Sequence, residues 1–180
     1  ANKELLSKEG KYLFMLAGER NVDLLFEAAV AGGIPLIRVL RESLLGEPVE
    51  KIMGIVNGTT NYILSQMEEN GMPYIEALLE AQKLGYAESD PTADVSGQDA
   101  ASKAAIIAMV AFGADVSLDD VLFEGIQNIS SADVAFASRA GCAIKLLAMI
   151  SKHGHELEVQ VYPALLPNSH PLSSVRDSFN

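Results

Sequence analysis

The sequence predicts an α+β fold, in which a mixed or largely antiparallel sheet carries helices layered on one face. Strand patterns and helical patterns follow one another without the strict alternation of βαβ units. The 180 residues suffice for one domain with a core, and 49% are apolar while 21% are charged, as in ordinary globular proteins. Because no internal repeat, low-complexity tract or long linker interrupts the chain, we expect a single domain over residues 1–180.

The first third of the chain is predicted to alternate between helix and strand. Apolar residues at helical spacing indicate a first helix over 4–21, which Gly10 divides. The apolar run at 22–30 is typical of a buried strand, and the glycine turn after it leads to a helix that begins at Pro35. Alternation over 49–58 predicts another strand.

Helices dominate the middle of the sequence. Segments 59–70, 73–85 and 98–113 show helical patterns, and each ends at or just before a glycine. Ser96 and Asp99 have the spacing of a capping box, with Ser96 as the N-cap. The third segment is apolar on every side, so we expect it to be buried.

The last third is predicted to be mostly β-structure. Residues 116–126 suggest a turn and a short strand, and a helix follows that Ser130 or Ser131 caps. Residues 142–167 form two adjacent strands around the turn HGHE, and the second alternates so that one face is wet. His153 and His155 are then solvated turn residues.

Charge, cysteine content and hydropathy limit the partners and the compartment. Acidic residues outnumber basic ones, 24 to 13, which argues against nucleic acid and anionic membranes as partners. The single cysteine excludes an intramolecular disulfide, so we expect a reducing cytoplasm. The longest apolar run, Ala104–Phe112, is far shorter than the ~20 residues of a membrane span. The chain lacks an initiator methionine and opens inside a helical pattern, so we expect a piece of a longer polypeptide.

The stretch GYAESDPTADVSGQDAASKAAII, residues 85–107, gathers carboxylates and a lysine before a buried helix. Its charged groups are Glu88, Asp90, Asp94, Asp99 and Lys103. One interpretation is a capped helix with a single ion pair four residues apart. Another is an amine-binding site with proton transfer nearby, since a buried lysine is costly unless paired. A third is a carboxylate metal site, although the spacing does not fit an EF-hand loop.

Two glycine-containing stretches raise the question of anion binding. Gly58 and Thr59 lie at a helix start, where free backbone N–H groups can hold a carboxylate or phosphate. A plain helix cap by Asn57 or Thr59 explains the same pattern equally well. The glycines of EAAVAGGIP do not form G-x-G-x-x-G, and the sequence contains no P-loop, so it has no nucleotide-binding motif of its own.

Four motifs together resemble the homoserine dehydrogenase family: ANKELLS, EAAVAGGIPLIRVLRESL, VEKIMGIVNGTTNYIL and LGYAESDPTADVSGQDAASKAAI. The resemblance implies an NAD- or NADP-dependent oxidoreductase that interconverts L-homoserine and L-aspartate 4-semialdehyde in threonine, methionine and isoleucine biosynthesis. It also implies a homodimer in which residues 1–180 are an incomplete substrate-binding and dimerisation domain. The Rossmann domain of the family would precede residue 1, so this piece is expected to be inactive alone.

The resemblance also implies roles for individual residues. The expected catalytic groups are Lys103 and Lys3, which exchange the hydroxyl proton. Substrate binding is expected of Glu88, Asp99, Asp94, Gly58, Thr59 and Tyr86, and a cofactor contact of Gly85. A site for a monovalent cation, Na⁺ or K⁺, built largely from backbone carbonyls, is expected at Glu27, Val30, Gly32 and Ile34. The alternative to an enzyme is a non-catalytic amino-acid-binding or dimerisation module with the same fold.

Overall fold

Helices and strands are mixed along residues 1–178, which a computed structural model of the protein describes. The helices are α1 (Lys3–Arg20), α2 (Ala28–Ala31), α3 (Leu36–Arg38), α4 (Gly58–Glu69), α5 (Tyr74–Lys83), α6 (Thr92–Val95), α7 (Gln98–Phe112) and α8 (Ser131–Arg139). The strands are β1 (Lys51–Gly54), β2 (Leu122–Phe123), β3 (Cys142–His153) and β4 (Glu156–Pro167). A π-helical segment spans Val39–Ser43, and 3₁₀ turns span Leu118–Asp120 and Pro171–Ser174.

The chain divides into two compact units. The first unit comprises Ala1–Met53, Ala101–Leu122 and Met149–Gln160. The second unit comprises Gly54–Ala100, Phe123–Ala148 and Val161–Asn180.

Helix α1 confirms the first predicted helix and shows what Gly10 does in it. The side chain of Asn2 caps the helix by accepting from the backbone N–H of Glu4 at 2.8 Å. Backbone angles at Glu9 leave the helical region (φ −119°, ψ 18°), so the helix kinks there. A Cβ added at Gly10 would lie 2.6 Å from the sulfur of Met109, so a larger residue there would require the end of the Met109 side chain to move.

The strand predicted at 22–30 is wrong. The chain there runs outside any strand to Phe26, and residues 28–31 form the single turn of α2. The apolar residues are nevertheless core residues: Phe26 and Val30 are 5% and 3% exposed. Glu27 explains the change, because its carboxylate accepts from the backbone N–H groups of Ile37 and Arg38 at 2.8 and 2.9 Å. The segment therefore closes onto α3 as a capped turn instead of pairing as a strand.

Helix α7 is buried as predicted, although its N-terminal cap differs from the prediction. Ala104, Ala105 and Ile106 have no exposed surface. The helix begins at Gln98, which is one residue later than a Ser96 N-cap requires. Gly97 intervenes with φ +86°, and the Ser96 hydroxyl accepts from the Gln98 N–H at 3.4 Å.

The sheet confirms the predicted hairpin. Strands β3 and β4 pair around a tight turn, and the strand order is β1-β3-β4-β2. In β4 the side chains of Val159 and Val161 are buried while those of Glu156 and Glu158 are exposed, which is the predicted alternation. His153 is exposed at the end of β3, in agreement with a solvated turn histidine.

The mixed four-stranded sheet and the helices confirm the predicted α+β class. Within residues 1–178 no helix has both the length and the hydropathy needed to cross a membrane.

Helix α8 shows how well local signals can specify an element. Ser130, one of the two serines predicted as its cap, is the N-cap and forms a capping box with Asp133.

Candidate active site

An open cleft of about 720 Å³ in the first unit brings both predicted catalytic lysines together. Lys3 opens α1 and Lys103 lies in the second turn of α7, and both side chains line this cleft. Both residues are partly exposed. A hundred residues separate them in the sequence, so the shared cleft is a product of the fold. The cleft is large enough for a small amino acid, which two amines could contact.

The segment expected to hold a monovalent cation lines the same cleft. Glu27, Val30 and Gly32 are lining residues, and Gly32 has φ +57° with ψ −115°, a conformation that side chains disfavour. Ile34 is 53% exposed, and its carbonyl accepts from the N–H of Leu36 at 2.8 Å.

The only carboxylate of the segment expected to hold a cation is already hydrogen-bonded. The Glu27 carboxylate is already engaged by two backbone N–H groups, so it is not a simple cation ligand. Among residues 1–178 no three His, Cys, Asp or Glu side chains cluster as a metal site. Any ion at this segment would therefore depend on the backbone carbonyls, the arrangement that the family resemblance implies.

In the second unit, Asn57 joins two of the predicted substrate-binding carboxylates. Its amide nitrogen donates to Asp94 at 2.7 Å and to Asp99 at 2.9 Å. Its amide oxygen accepts from the backbone N–H and from the hydroxyl of Thr60, each at 2.9 Å. Asn57 is 4% exposed and Asp99 is 8% exposed, so the arrangement is largely shielded from water.

The hydrogen bonds of Asn57 bear on two features that the sequence analysis considered, the helix cap before α4 and the carboxylates of residues 85–107. Asn57 is the N-cap of α4, so the plain helix-cap interpretation is confirmed. An amide NH₂ group has two donor hydrogens, and here each goes to a different carboxylate. A single amide group thus contacts two carboxyl side chains at once.

Thr59 and Tyr86, both predicted to line the substrate pocket, contact each other. The Thr59 hydroxyl donates to the Tyr86 carbonyl at 2.6 Å. The rings of Tyr62 and Tyr86 lie 4.9 Å apart between centroids. Burial raises the pKa of Tyr62, and the nearby Glu80 carboxylate raises it further, so the Tyr62 hydroxyl stays protonated beside Tyr86.

Gly58, predicted to line the substrate pocket, and Gly85, predicted to contact the cofactor, differ in their surroundings. A Cβ built on Gly58 would collide with the carbonyl oxygen of Ser178, so glycine permits a close backbone approach there. Gly85 has φ +79°, and a Cβ added there would meet no atom of residues 1–178 within 4 Å. The open surface at Gly85 is compatible with a ligand lying over it.

Glu88 and Asp90 lie on the surface, and neither is among the residues that bond to the Asn57 side-chain amide. Both side chains are exposed, and the carbonyl of Glu88 accepts from the Gln82 amide at 3.0 Å. Asp90 accepts from the backbone N–H of Thr92 at 3.1 Å, and hydrogen bonds from Thr92 lower the pKa of Asp90. Asp90 therefore acts as a local turn residue. The carboxylate metal site considered from the sequence finds no support in the described part of the chain.

Sequence reasoning missed two features of the second unit. The bridging role of Asn57 was not predicted, although its position before a helix pointed to the cap. Lys145 was passed over inside an apolar strand, yet it has no exposed surface. A lysine at an inward position of an apolar strand is a signal that could have identified it.

Comparison with known proteins identifies the family. The family model for homoserine dehydrogenase matches residues 35–180. The chain belongs to the homoserine dehydrogenase family. Homoserine dehydrogenase of Corynebacterium glutamicum is 54% identical over 185 aligned residues, and that of Bacillus subtilis is 49% identical over 180. Both alignments include the whole of this chain but only 42% of each relative, so the chain spans about two-fifths of their length.

Solved structures show the same relationship. A homoserine dehydrogenase from Thiobacillus denitrificans superposes with a TM-score of 0.95 at 42% identity, covering 98% of this chain and 41% of that one. The Staphylococcus aureus homoserine dehydrogenase at pH 7.5 superposes with a TM-score of 0.86 at 39% identity, covering 98% and 41%. The fold of this chain is therefore that of the corresponding part of the family.

Proposed function

We propose that the intact polypeptide carrying this chain interconverts L-homoserine and L-aspartate 4-semialdehyde with NAD or NADP. Residues 1–180 would supply most of its substrate-binding and dimerisation domain. The observation that carries the proposal is the cleft that Lys3 and Lys103 both line, in a chain of the homoserine dehydrogenase family. Two amines at one cleft suit a reaction in which a hydroxyl proton must leave.

Recognition of homoserine requires groups for an ammonium, a carboxylate and a hydroxyl. Asp94 and Asp99, held by Asn57, offer negative charge for the ammonium, and Glu88 is the further candidate on the same loop. The start of α4 at Gly58 and Thr59 offers backbone N–H groups for the carboxylate. Asp99 precedes Lys103 by four residues in the sequence of α7.

The proton step falls to the two lysines. In the oxidation, a neutral lysine amine takes the hydroxyl proton while the carbon–hydrogen bond breaks and the carbonyl forms. The second, protonated amine stabilises the negative charge that develops on the oxygen. Nicotinamide, when bound, accepts the hydride. In the reverse direction the protonated lysine returns the proton to the carbonyl oxygen.

The residues present account for only a small part of cofactor binding. Gly85 offers an exposed, left-handed backbone position over which a ligand can lie. The sequence has no G-x-G-x-x-G motif and no P-loop, so most contacts to NAD or NADP would come from elsewhere in the polypeptide.

We also propose a monovalent-cation site, a homodimer and a cytoplasmic location for this protein. Na⁺ or K⁺ would bind the carbonyls of Glu27, Val30, Gly32 and Ile34, three of which belong to residues that line the lysine cleft. The cation proposal predicts that replacing NaCl and KCl with a tetramethylammonium salt lowers the melting temperature of the intact protein. Light scattering tests the homodimer directly.

The test of the proposed activity uses the intact polypeptide and follows nicotinamide absorbance. L-Homoserine should support reduction of NAD or NADP. We expect 3-amino-1-propanol, which lacks the carboxylate, and 4-hydroxybutanoate, which lacks the ammonium, to be far poorer substrates. Each analogue leaves one set of polar groups in the site unpaired.

The outcomes separate the candidate functions. Calorimetric binding of L-homoserine without turnover would favour the non-catalytic amino-acid-binding module. Equal turnover of all three alcohols would remove the roles assigned to the acidic loop and to the start of α4. Neither binding nor turnover of L-homoserine by a folded protein would overturn the proposal.

A further inference from the structure

Lys145 is a cation with no exposed surface, in the part of β3 that belongs to the second unit. Its ammonium donates to the side-chain oxygen of Asn61 at 3.1 Å and to the carbonyl of Val175 at 2.6 Å. A buried charge is costly unless it is hydrogen-bonded, and both acceptors here belong to the protein. Nothing in the proposed chemistry uses this residue, so its burial needs a separate explanation.

Asn61 extends the contact from Lys145 to the C-terminal segment. Because a lysine ammonium can only donate, the Asn61 amide must turn its oxygen toward Lys145. Its nitrogen then points to the segment, where it donates to the carbonyl of Asp177 at 2.8 Å and lies 3.5 Å from that of Val175. Lys145 thereby fixes the orientation of the amide that holds Asp177, a residue with φ +58°.

A second attachment holds the same segment to α4. Arg176 contacts Glu68 at 3.0 Å and Glu69 at 2.7 Å, and it donates to the Ser173 carbonyl at 2.9 Å. Segment 173–178 therefore contacts α4 at two positions, at Asn61 near its start and at Glu68 and Glu69 at its end. Beyond Asp177, the Ser178 carbonyl lies against Gly58, one residue before Thr59.

The surroundings of Lys145 destabilise the charged form of its side chain. Burial, and to a smaller extent the neighbouring Arg176, lower the pKa of Lys145 to about 8, while Glu68, Glu69 and Asp177 oppose the shift. A neutral residue of similar shape would avoid this cost. What the lysine adds over such a residue is the pair of hydrogen bonds that its ammonium donates.

We propose that Lys145 is a positioning residue. Through Asn61 and the Val175 carbonyl, it anchors segment 173–178 against α4 and thereby sets the backbone of Ser178 against Gly58 at the start of that helix. This role rests on the proposed function, because the start of α4 is the position assigned to the carboxylate of homoserine. Lys145 touches no reacting group; it acts through the segment that it holds.

The test compares Lys145→Met with Lys152→Met in the intact polypeptide. Methionine keeps the length of the side chain and removes every donor, and Lys152 is an exposed lysine on the same strand. Hydrogen exchange of residues 168–178 is measured together with kcat and KM for L-homoserine. For Lys145→Met we expect exchange in 173–178 to become roughly tenfold faster or more. We also expect kcat/KM to fall roughly 10- to 100-fold, mainly through KM. Lys152→Met should change neither quantity.

Asn61→Asp is the second variant. It keeps an acceptor for Lys145 and removes the donor to Asp177, so it should release the segment while the lysine stays paired. If Lys145→Met does not fold, hydrogen exchange of residues 173–178 in Asn61→Asp tests the anchor instead, and unchanged exchange there would overturn it.

Unchanged exchange in Lys145→Met would overturn the anchor, and faster exchange with unchanged kcat/KM would overturn the positioning role. Equal effects of Lys145→Met and Lys152→Met would show a general strand effect and also overturn it. If the wild-type protein did not turn over L-homoserine, the proposed function would fail, and the exchange measurement would still decide whether Lys145 anchors the segment.

Discussion

Lys103 and Lys145 each interrupt an apolar stretch of the sequence, yet the structure gives them opposite environments. Lys103 is partly exposed and lines a cleft of about 720 Å³. Lys145 has no exposed surface, and its ammonium donates to Asn61 and to the Val175 carbonyl. The first lysine faces space that a small molecule can enter, and the second faces acceptors of the protein itself.

This difference shows that an ionisable residue in an apolar run does not by itself indicate catalysis. Burial makes such a residue costly, and both lysines meet that criterion in the sequence. What distinguishes them is the open volume beside the ammonium. The comparison therefore predicts that replacing Lys103 mainly changes activity. Replacing Lys145 should instead change the order of segment 173–178 and the pH dependence of the free energy of unfolding.

The largest expected effect is that of Lys103→Ala on turnover. Loss of a general acid–base group lowers kcat by roughly 10²- to 10⁴-fold. Because Lys103 lies at a cleft, truncation should leave the melting temperature close to that of the wild type. The assay is homoserine-dependent reduction of NAD or NADP by the intact polypeptide. Lys83→Ala, an exposed lysine at the end of α5, is the control. A near-normal kcat would remove Lys103 from the mechanism.

The next effect concerns the carboxylates that lie before Lys103. Asn57→Ala removes a helix cap and leaves Asp94 and Asp99 without their shared donor. We expect the free energy of unfolding to fall by about 2–4 kcal/mol, measured by urea denaturation, from the lost cap and the lost buried hydrogen bonds. The matched control is Asn2→Ala, which removes only a cap, that of α1. Equal losses in the two variants would mean that the bridge to the carboxylates adds nothing.

Local patterns predicted most of the elements but not the contacts that build the site. The β3–β4 hairpin followed from alternation and a short turn, and α8 followed from its serine cap. The strand predicted at 22–30 failed because an apolar run cannot show whether a partner strand exists, and Glu27 instead caps the next helix. The bonds from Asn57 to Asp94 and Asp99 join residues 37 and 42 positions apart, which no periodicity reveals.

The lysine pair illustrates the same limit. Lys3 and Lys103 were associated through the family resemblance, and the structure then showed that both line one cleft. Lys145 carried no comparable motif. Its acceptor Val175 lies 30 residues further along the chain, so a strand pattern alone could not show why the lysine is there.

The third prediction sharpens the comparison through pH. The pKa of Lys145 is about 8 in the folded protein, against 10.5 for an unperturbed lysine. Between these values the unfolded chain binds more protons than the folded one, so stability rises with pH. The penalty for burying the charge is complete below pH 8 and is relieved as pH approaches 10.5. We expect the wild-type free energy of unfolding, minus that of Lys145→Met, to increase by about 1–3 kcal/mol over this range, allowing for solvent screening.

Urea denaturation at several pH values between 7 and 10.5 measures this difference. The same subtraction with Lys152→Met should give a flat line, because the side chain of Lys152 is exposed. Taking differences cancels the titration of tyrosines and other lysines common to both proteins. A flat line for Lys145→Met as well would mean that Lys145 keeps an ordinary pKa and that the contrast with exposed lysines is geometric only.

The smallest expected effect belongs to Glu88, which is exposed and lies outside the Asn57 arrangement. Glu88→Gln removes one negative charge while keeping the size of the side chain. If Glu88 helps to hold the ammonium of homoserine, KM should rise by up to roughly tenfold with little change in kcat, because an exposed charge pair contributes only about 1 kcal/mol. Asp90→Asn is the matched control, since Asp90 is exposed on the same loop and its carboxylate accepts a hydrogen bond from Thr92.

A rise in KM for Glu88→Gln alone would assign a direct contact with the substrate to Glu88. Equal rises for both variants would show that the loop acts through its summed charge, and raising the salt concentration should then abolish the difference from the wild type. An unchanged KM in both variants would restrict ammonium binding to Asp94 and Asp99, the carboxylates that Asn57 already holds in place.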